Sequence, residues 1–186
     1  MIFSVGHSSL PAERFLELLA GAPVAELWDI RSYPTSHWPW FDRGELEAGL
    51  AAAGIGYRWV PALGGRRGAP RRPAPLPPSR WRSAAFEHYM WYMATPQFLA
   101  AAGELLLAGR RTDLGILCSE AVWWRCHRSM VADFVVYAGG EVVHLQPART
   151  AHSAAIGDRL ARYAPEVLSA WDERLTTHAG RAIRGR

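Results

Sequence analysis

Short apolar segments rich in β-branched and aromatic residues alternate along this chain with segments whose apolar residues recur at helical spacing. The apolar segments, which we predict to be strands, cover residues 2–5, 25–30, 56–60, 113–118 and 141–145. Helical segments between successive strands carry the chain back across a sheet, and such connections pair strands in parallel. The sequence therefore predicts an α/β fold with a mainly parallel sheet flanked by helices.

The intervening segments contain the predicted helices. The first begins after Pro11, and the others cover residues 44–53, 83–93, 96–108, 126–138 and 151–174, the last with a break at Pro165. A chain of 186 residues fits one domain of ordinary size. We expect a single domain over residues 1–175 with an Arg- and Pro-rich loop at 66–79, followed by a disordered tail at 176–186.

All 21 basic residues of the chain are arginines, and the sequence contains neither lysine nor asparagine. A GC-rich genome explains the choice of arginine, but the choice still limits the chemistry. Without lysine there is no Schiff base with pyridoxal phosphate and no phosphate-binding lysine of the P-loop type. Without asparagine there is no Cys-His-Asn triad. The sequence indicates no cofactor.

The net charge of +4 conceals a strongly basic segment. Residues 58–82 contain seven arginines and no acidic residue, so this segment carries +7 while the rest of the chain carries −3. Guanidinium groups concentrated in a Pro-rich segment suit contact with phosphates, and we predict a nucleic acid, DNA in the first place, as the partner. A solvated basic loop without a partner is the alternative. The predicted contacts are Arg66, Arg67, Arg71, Arg72, Arg80 and Arg82.

The apolar runs of the chain do not predict a membrane segment. They are far shorter than the roughly 20 residues that a membrane-spanning helix needs, and residues 1–9 lack the charged start of a signal peptide. We expect a soluble cytoplasmic protein without membrane contact, in which Cys118 and Cys126 stay reduced. The oligomeric state does not follow from the sequence.

Polar or glycine-containing segments follow four of the predicted strands directly. They are residues 6–9, 29–34, 64–65 and 118–120. In a parallel sheet, ligands bind beyond the carboxyl ends of the strands. We therefore predict one cleft to which these four segments contribute.

Two carboxylates are candidates for acid–base chemistry. Asp29 and Arg31 lie two residues apart at a strand end, so extended backbone would point both side chains to the same side. Either they form a structural ion pair, or Asp29 acts as a base or cation stabiliser beside an arginine that holds the substrate. Glu120 stands in the same relation to Cys118. The apolar residues that follow Glu120 would raise its pKa toward a range useful for proton transfer, with a solvated glutamate as the alternative.

The first strand and the aromatic loops supply further candidates. His7, in a strand-to-helix turn, either faces the cleft as a catalytic residue or anchors the loop by a hydrogen bond. Ser8 is a candidate for substrate binding or a helix cap. Tyr33, Trp123 and Trp124 are candidates for a stacking surface at the substrate, with simple packing as the alternative.

Cys126, His127 and Arg128 stand where a helix is predicted to begin, and a helix N-terminus lowers the pKa of a thiol and binds anions. The three interpretations are a reactive cysteine with a histidine partner, a metal site that includes Cys118, and a loop in which His127 and Arg128 hold the structure or a phosphate. Adjacent helical side chains point about 100° apart, and Cys-x7-Cys lacks the tight spacing of structural zinc sites. We therefore predict no metal. Cys118 is a catalytic candidate, and the other three are substrate-binding candidates.

Several motifs follow one another along the chain. They are Gly6-His7-Ser8, Asp29-x-Arg31-Ser32-x-Pro34 with Phe41 downstream, Leu63-Gly64-Gly65-Arg66, the stretch from Tyr89 to Phe98, and Cys118-x-Glu120-x5-Cys126-His127-Arg128. In order and spacing they resemble the domain of unknown function 488 family, over about residues 2–146. The resemblance implies a compact α/β fold and a site built from these strand-end segments, but no particular activity. The loop after Arg66 departs from the family pattern because it is unusually rich in Arg and Pro.

We predict an enzyme that acts on nucleic acid or nucleotides, in its most concrete form a monofunctional DNA glycosylase that hydrolyses the N-glycosidic bond of a modified or damaged base. This chemistry needs a carboxylate, here Asp29 or Glu120, a pocket for a flipped base and cations for phosphates. Without lysine, no imine can form to cleave the backbone. The alternatives are a Cys-dependent hydrolase or sulfur-transfer enzyme centred on Cys118 or Cys126, and a non-catalytic nucleic-acid-binding module.

Overall fold

A computed structural model describes residues 1–69, 81 and 83–184, without the side chains of residues 154, 155 and 178–184. The strands are β1 (Ile2–Gly6), β2 (Glu26–Asp29), β3 (Gly56–Trp59), β4 (Leu114–Cys118), β5 (Val142–His144) and β6 (Thr150–Ala151). They form one sheet with the order β3-β2-β4-β1-β5-β6. The first five strands run parallel, and β6 is antiparallel to β5. The predicted α/β architecture with a mainly parallel sheet is confirmed.

Strand β6 is an addition to the predicted strands, of which residues 141–145 are the last. It pairs Ala151 with Val143 and Thr150 with His144. Two residues are too few to show the alternating pattern by which a strand is recognised, so the sequence carries no signal for β6.

The helices cover both faces of the sheet. They are α1 (Ala12–Ala20), α2 (Arg43–Ala52), α3 (Ala84–Tyr92), α4 (Pro96–Gly109), α5 (Arg128–Tyr137), α6 (Ile156–Leu160) and α7 (Pro165–Arg184). The largest differences from prediction are at α5, which begins at Arg128 rather than at Cys126, and at the C-terminal helices. Among the described helices, none combines the length and the apolar character that a membrane crossing requires.

The C-terminal region is more helical than predicted. The predicted break at Pro165 is present, since α6 ends at Leu160 and α7 begins at Pro165, where the fixed φ and the missing N–H of proline suit a helix start. The helical backbone includes residues 176–184, where we predicted a disordered tail. Of the predicted loop at 66–79, residues 66–69 have no helix or strand, and residues 70–79 lie outside the described part of the chain.

The core lies on both sides of the two central strands. Every residue of β1 and of β4 is buried, as in parallel sheets that are covered on both faces. Successive residues of a strand point to opposite faces. Trp28 accordingly packs with residues of α4 and α5 on one face, whereas Leu27 packs with Phe15 and Leu19 of α1 on the other.

A buried polar network joins α5 to the C-terminal segment. Asp133 of α5 accepts hydrogen bonds from Arg159 at 2.6 and 2.8 Å and from the Tyr163 hydroxyl at 2.7 Å. Nε2 of His152 lies 2.7 Å from the same carboxylate, and Nδ1 of His152 lies 2.9 Å from Nε2 of His144. All five side chains are buried. Because a buried charge is costly without partners, this network fixes the C-terminal segment against the sheet.

The first prediction concerns this network. Asp133→Asn should lower the free energy of unfolding by about 3–5 kcal/mol, because it leaves the Arg159 guanidinium buried without a counter-charge. The measurement is urea denaturation followed by tryptophan fluorescence. Asp172→Asn is the matched control, since Asp172 is exposed and its carboxylate accepts a hydrogen bond from Tyr137. Equal losses in the two variants would contradict the assigned role of Asp133.

The second prediction concerns pH. Burial, with repulsion from His152 and Arg128, lowers the pKa of His144 to about 2. Folding therefore expels a proton from this ring below the ordinary histidine pKa of about 6.5, so stability is lost as the pH falls. Between about pH 6 and pH 5, the free energy of unfolding of the wild type should fall as the pH is lowered. His144→Asn should make this fall smaller by roughly 1 kcal/mol per pH unit.

The pH experiment compares slopes, so a change in absolute stability does not affect it. His37→Asn is the control, because the His37 ring is exposed, and it should keep the wild-type slope. A slope in His144→Asn that equals the wild-type slope would show that His144 does not release a proton on folding.

Candidate functional site

A cleft of about 380 Å³ opens at the carboxyl ends of β2, β3 and β4. Residues from the segments 31–35, 65–66 and 118–120, which follow these three strands, line it. Helix α3 and residues 125–127, before α5, complete the wall. Three of the four predicted strand-end segments thus meet at one cleft, and the segment after β1 is not among the described lining residues.

Two cysteines and one histidine converge in the cleft wall. We call Cys118, Cys126 and His127 the thiol–imidazole cluster. Nδ1 of His127 lies 3.8 Å from Sγ of Cys118 and 3.5 Å from Sγ of Cys126. One ligand atom from each of the three residues lies within 4.8 Å of the others. Both cysteines are free and buried.

The backbone explains why these side chains meet. Cys118 is the last residue of β4, Cys126 is extended with φ −126° and ψ 150°, and His127 is the N-cap of α5. The prediction that Cys126 and His127 diverge by about 100° on a helix is wrong, because the helix begins only at Arg128. The geometric argument against a metal site therefore does not hold.

The orientation of the His127 ring is set by the main chain. Nε2 lies 3.0 Å from the carbonyl oxygen of Ile30, which can only accept, so Nε2 carries a hydrogen and the neutral ring presents the Nδ1 lone pair to the sulfurs. A Cβ at Gly65 would lie 2.4 Å from Nδ1. Glycine at this position therefore leaves the space that the ring occupies.

Burial and hydrogen bonding separate the two thiols. The hydrogen bond with Cys126, together with burial, raises the pKa of Cys118 well above its ordinary value. For Cys126, burial alone would raise the pKa, but the hydrogen bond with Cys118 and the nearby charge of Arg128 lower it, and the pKa lies well below the ordinary value. Of the two thiols, Cys126 is therefore the more acidic.

Asp29 and Arg31 form a buried ion pair. Nε and Nη2 of Arg31 donate to the Asp29 carboxylate at 2.6–3.0 Å, and Nη1 donates to the carbonyl oxygen of Phe41 at 2.8 Å. The hydroxyl of Tyr57 donates to the same carboxylate at 2.8 Å. Asp29 is 0 % exposed. Enclosure of the Asp29 carboxylate favours the structural ion pair of the two interpretations, and Arg31 lines the cleft with a guanidinium that is already engaged.

His7 and Ser8 hold the loop after β1 rather than facing the cleft. The His7 ring stacks on Phe41 at 4.2 Å, with Nδ1 2.9 Å from the Ser8 carbonyl oxygen and Nε2 3.4 Å from Nη1 of Arg31. Burial lowers the pKa of His7 to about 4, so the ring is neutral at neutral pH. Ser8 has φ 45° and donates its N–H to the carbonyl oxygen of Ser119. Neither residue is among the described lining residues, which favours the loop-anchoring interpretation of His7.

Glu120 is the sole carboxylate among the described residues of the cleft wall. Its side chain is exposed and accepts a hydrogen bond from the N–H of Val122 at 3.1 Å. The exposed position agrees with the alternative in which Glu120 is a solvated glutamate. Glu120 still lines the same cleft as the thiol–imidazole cluster.

Arg128 is a structural residue. Its side chain is 0 % exposed and donates to Ser4 Oγ at 3.1 Å and to the carbonyl oxygens of Glu120 and Ala121. Enclosure of this guanidinium favours the interpretation in which Arg128 holds the structure over the one in which it holds a phosphate. These bonds tie the segment after β4 to β1.

The three aromatic candidates lie in different environments. Tyr33 is 65 % exposed and lines the cleft. Trp123 is buried and stacks on the His144 ring at 4.0 Å, so it packs in the interior rather than forming a substrate wall. Trp124 is 41 % exposed and meets Trp123 edge to face. Neither tryptophan belongs to the described lining of the cleft.

The basic segment is described only in part. Arg66 is exposed at the cleft, with its guanidinium 5.9 Å from the centre of the Tyr33 ring. Arg67 folds back on the protein and lies 3.8 Å from the centre of the Tyr92 ring. The other predicted contacts, Arg71, Arg72, Arg80 and Arg82, lie outside the described residues.

Several lining residues were absent from the predicted site, among them Arg125, Phe86 and Tyr89. Arg125 is exposed at the cleft. Its position in the loop between β4 and α5 could have identified it as a site residue from the sequence. Phe86 and Tyr89 come from α3, which is reached through the Arg- and Pro-rich loop rather than directly from a strand. The strand-end argument therefore does not find them.

Comparison with known proteins gives a family match, which covers most of this site. The family model described as "Domain of unknown function DUF488" matches residues 11–135. This range contains Glu120 and the thiol–imidazole cluster but not His7 or Ser8. Neither the curated proteins nor the solved structures give a match. Since the matched range is more than half of the chain and its motifs follow in the family's order, the chain belongs to the DUF488 family.

Proposed function

We propose that this protein is a cysteine-dependent hydrolase that acts on a nucleotide or a nucleic acid. The observation that carries the proposal is the convergence of Cys118, Cys126 and His127 in the wall of a cleft that also presents a carboxylate and guanidinium groups. Nucleophilic and titratable side chains gathered in one cleft are typical of a reaction centre. Packing alone does not require such a set to face a cleft.

The surface of the cleft supports a substrate that carries both phosphate and a base. Arg66 and Arg125 are exposed and provide guanidinium groups for phosphate oxygens. Tyr33 and Phe86 provide ring faces on which a base can stack. The volume of about 380 Å³ lies within the range of roughly 300–1,000 Å³ for small-molecule sites. A free nucleotide or one nucleotide extruded from a strand would match these features.

Glu120 is the group assigned to proton transfer. In the hydrolysis, a water oxygen held beside the thiol–imidazole cluster bonds to the electrophilic atom of the substrate while the bond to the leaving group breaks. Glu120 accepts the proton that the water loses and returns it to the leaving group, so no further reactant is consumed. Cys118 and Glu120 both line the cleft from the end of β4, which brings the cluster and the carboxylate to the same space.

Hydrolysis of an N-glycosidic bond is the second candidate, and the position of Glu120 favours it. This reaction needs a carboxylate near the sugar and no thiol. Because Asp29 is enclosed, the carboxylate role falls to Glu120 among the described cleft residues. The cysteine-dependent reaction ranks first because a glycosylase would leave the three converging side chains without a task.

The third prediction tests this function. The protein is incubated separately with free nucleotides, with abasic oligonucleotides and with modified-base oligonucleotides, and products are identified by mass spectrometry. We expect a hydrolysis product from at least one substrate class. Cys118→Ser, Cys126→Ser and Glu120→Gln should each lower kcat by about 100-fold or more, the scale that a positioned catalytic group supplies.

Glu47→Gln is the matched control for Glu120→Gln, since Glu47 is exposed on α2, and it should keep the wild-type rate. Absence of product from every substrate would overturn the proposal. Base release that survives both cysteine changes but not Glu120→Gln would establish the glycosylase instead. Salt-sensitive binding without turnover would identify a non-catalytic module.

The fourth prediction uses the glycine beside the cluster. Gly65→Ala places a methyl group against the His127 ring and should lower kcat by about 10-fold or more, because small displacements of reacting groups are costly. Gly68→Ala is the control, since a Cβ there has nothing within 4 Å. Steady-state kinetics of both variants provide the measurement, and equal rates would argue against a role for the His127 position.

A further inference from the structure

We propose that the thiol–imidazole cluster is a zinc-binding site whose ion faces the cleft. The ligand atoms are Sγ of Cys118, Sγ of Cys126 and Nδ1 of His127. The inference rests on the proposed function for what the ion does there, but not for whether it binds. It explains why two cysteines and a histidine are gathered at this point.

The spacing of the three atoms matches zinc coordination. With Zn–S bonds of about 2.3 Å and a Zn–N bond of about 2.0–2.1 Å, tetrahedral angles place sulfur and nitrogen about 3.6 Å apart. The distances from Nδ1 to the two sulfurs are 3.5 and 3.8 Å. The two sulfurs also lie within the 4.8 Å limit that encloses the whole cluster. One ion can therefore reach all three atoms without rearrangement of the backbone.

The imidazole is oriented as a metal ligand. Histidines that bind metal usually donate their second ring N–H to a carboxylate or a main-chain carbonyl, which fixes the ring and its tautomer. Nε2 of His127 makes this contact with Ile30 at 3.0 Å. The lone pair of Nδ1 is thereby directed at Cys118 and Cys126.

A metal accounts for this arrangement better than hydrogen bonding does. Hydrogen bonds can link the two thiols to each other and one of them to Nδ1, but they do not require both sulfurs to stand within 3.8 Å of that one nitrogen. An ion engages one lone pair from each of the three atoms. Charge also favours it, because two thiolates and a divalent cation sum to zero in a site where both cysteines are buried.

The framework holds the ligands in place. Cys118 ends β4, which pairs with β1 on one side and β2 on the other, and Cys126 and His127 precede the buried first residue of α5. The Cys-x7-Cys spacing is unlike that of small structural zinc sites because the sheet and a helix start, rather than one short loop, position these ligands.

The number of ligands indicates a catalytic rather than a structural ion. Structural zinc sites are closed by four protein ligands, whereas catalytic sites use three and leave a position open. The cluster has three ligand residues among the described part of the chain, and all three line the cleft. The open position would take an oxygen of water or substrate, which zinc polarises, close to the Glu120 carboxylate.

The fifth prediction tests the site directly. The full chain is produced in zinc-supplemented medium, dialysed against metal-free buffer with a non-thiol reductant, and analysed for metal. We expect about one zinc ion per chain, as a three-residue catalytic site would hold. Cobalt(II) added to metal-free protein should give thiolate-to-cobalt charge-transfer absorption, and zinc should raise its Tm.

The variants assign the ligands. Cys118→Ser, Cys126→Ser and His127→Gln should each weaken zinc binding by more than the ~10–100-fold that loss of an outer-shell partner causes. His37→Gln, a change at an exposed histidine, should bind zinc as the wild type does. If a variant fails to fold, the cobalt spectrum of the wild type still decides the question.

A zinc content no higher than background, together with no cobalt–thiolate absorption, would overturn the inference. Zinc binding by Cys126→Ser that is as tight as that of the wild type would also overturn it. These outcomes are separate from those for the function. Zinc bound without any hydrolysis would refute the function and leave the site, whereas hydrolysis by zinc-free protein that resists chelators would refute the site and leave the function.

Discussion

The parallel pairing of β4 with both β1 and β2 is the constraint on which the rest of this structure depends. Leu114 pairs with Ile2 on one side and with Glu26 on the other, so the three strands advance in step. Every residue of β4 is buried, and a shift by one residue would turn its apolar side chains to the wrong faces. Strands in this register end together, which brings the segments that follow β2 and β4 to the cleft.

Buried charges then hold the cleft in shape. Arg31 connects Asp29 to the main chain at Phe41, and Arg128 connects Ser4 to the segment after β4. Because an unpartnered buried charge costs several kcal/mol, roughly 3–5 when one partner is removed, these side chains confine the loops to one arrangement. Buried residues that the sequence indicates as catalytic or binding candidates thus hold the loops around the cleft in position.

Much of the fold follows from local patterns. The periodicity of apolar residues is a property of each segment, and it predicts the five parallel strands and the helices between them. It does not find β6, which is two residues long and owes its pairing to β5. It also places the start of α5 at Cys126 rather than Arg128, an error that hides the convergence of the cluster. A boundary depends on caps and tertiary contacts that periodicity does not contain.

The sequence by itself determined the architecture, the family resemblance and the edge of the sheet where polar residues gather, because strand ends and their order are local features. Only the tertiary structure decided which of those residues face the cleft. Asp29 is enclosed by Tyr57 and Arg31, whereas Glu120 remains open. The meeting of Cys118 with His127 likewise depends on where a strand ends beside a helix start. Burial and proximity arise from contacts between distant segments, and no local pattern specifies them.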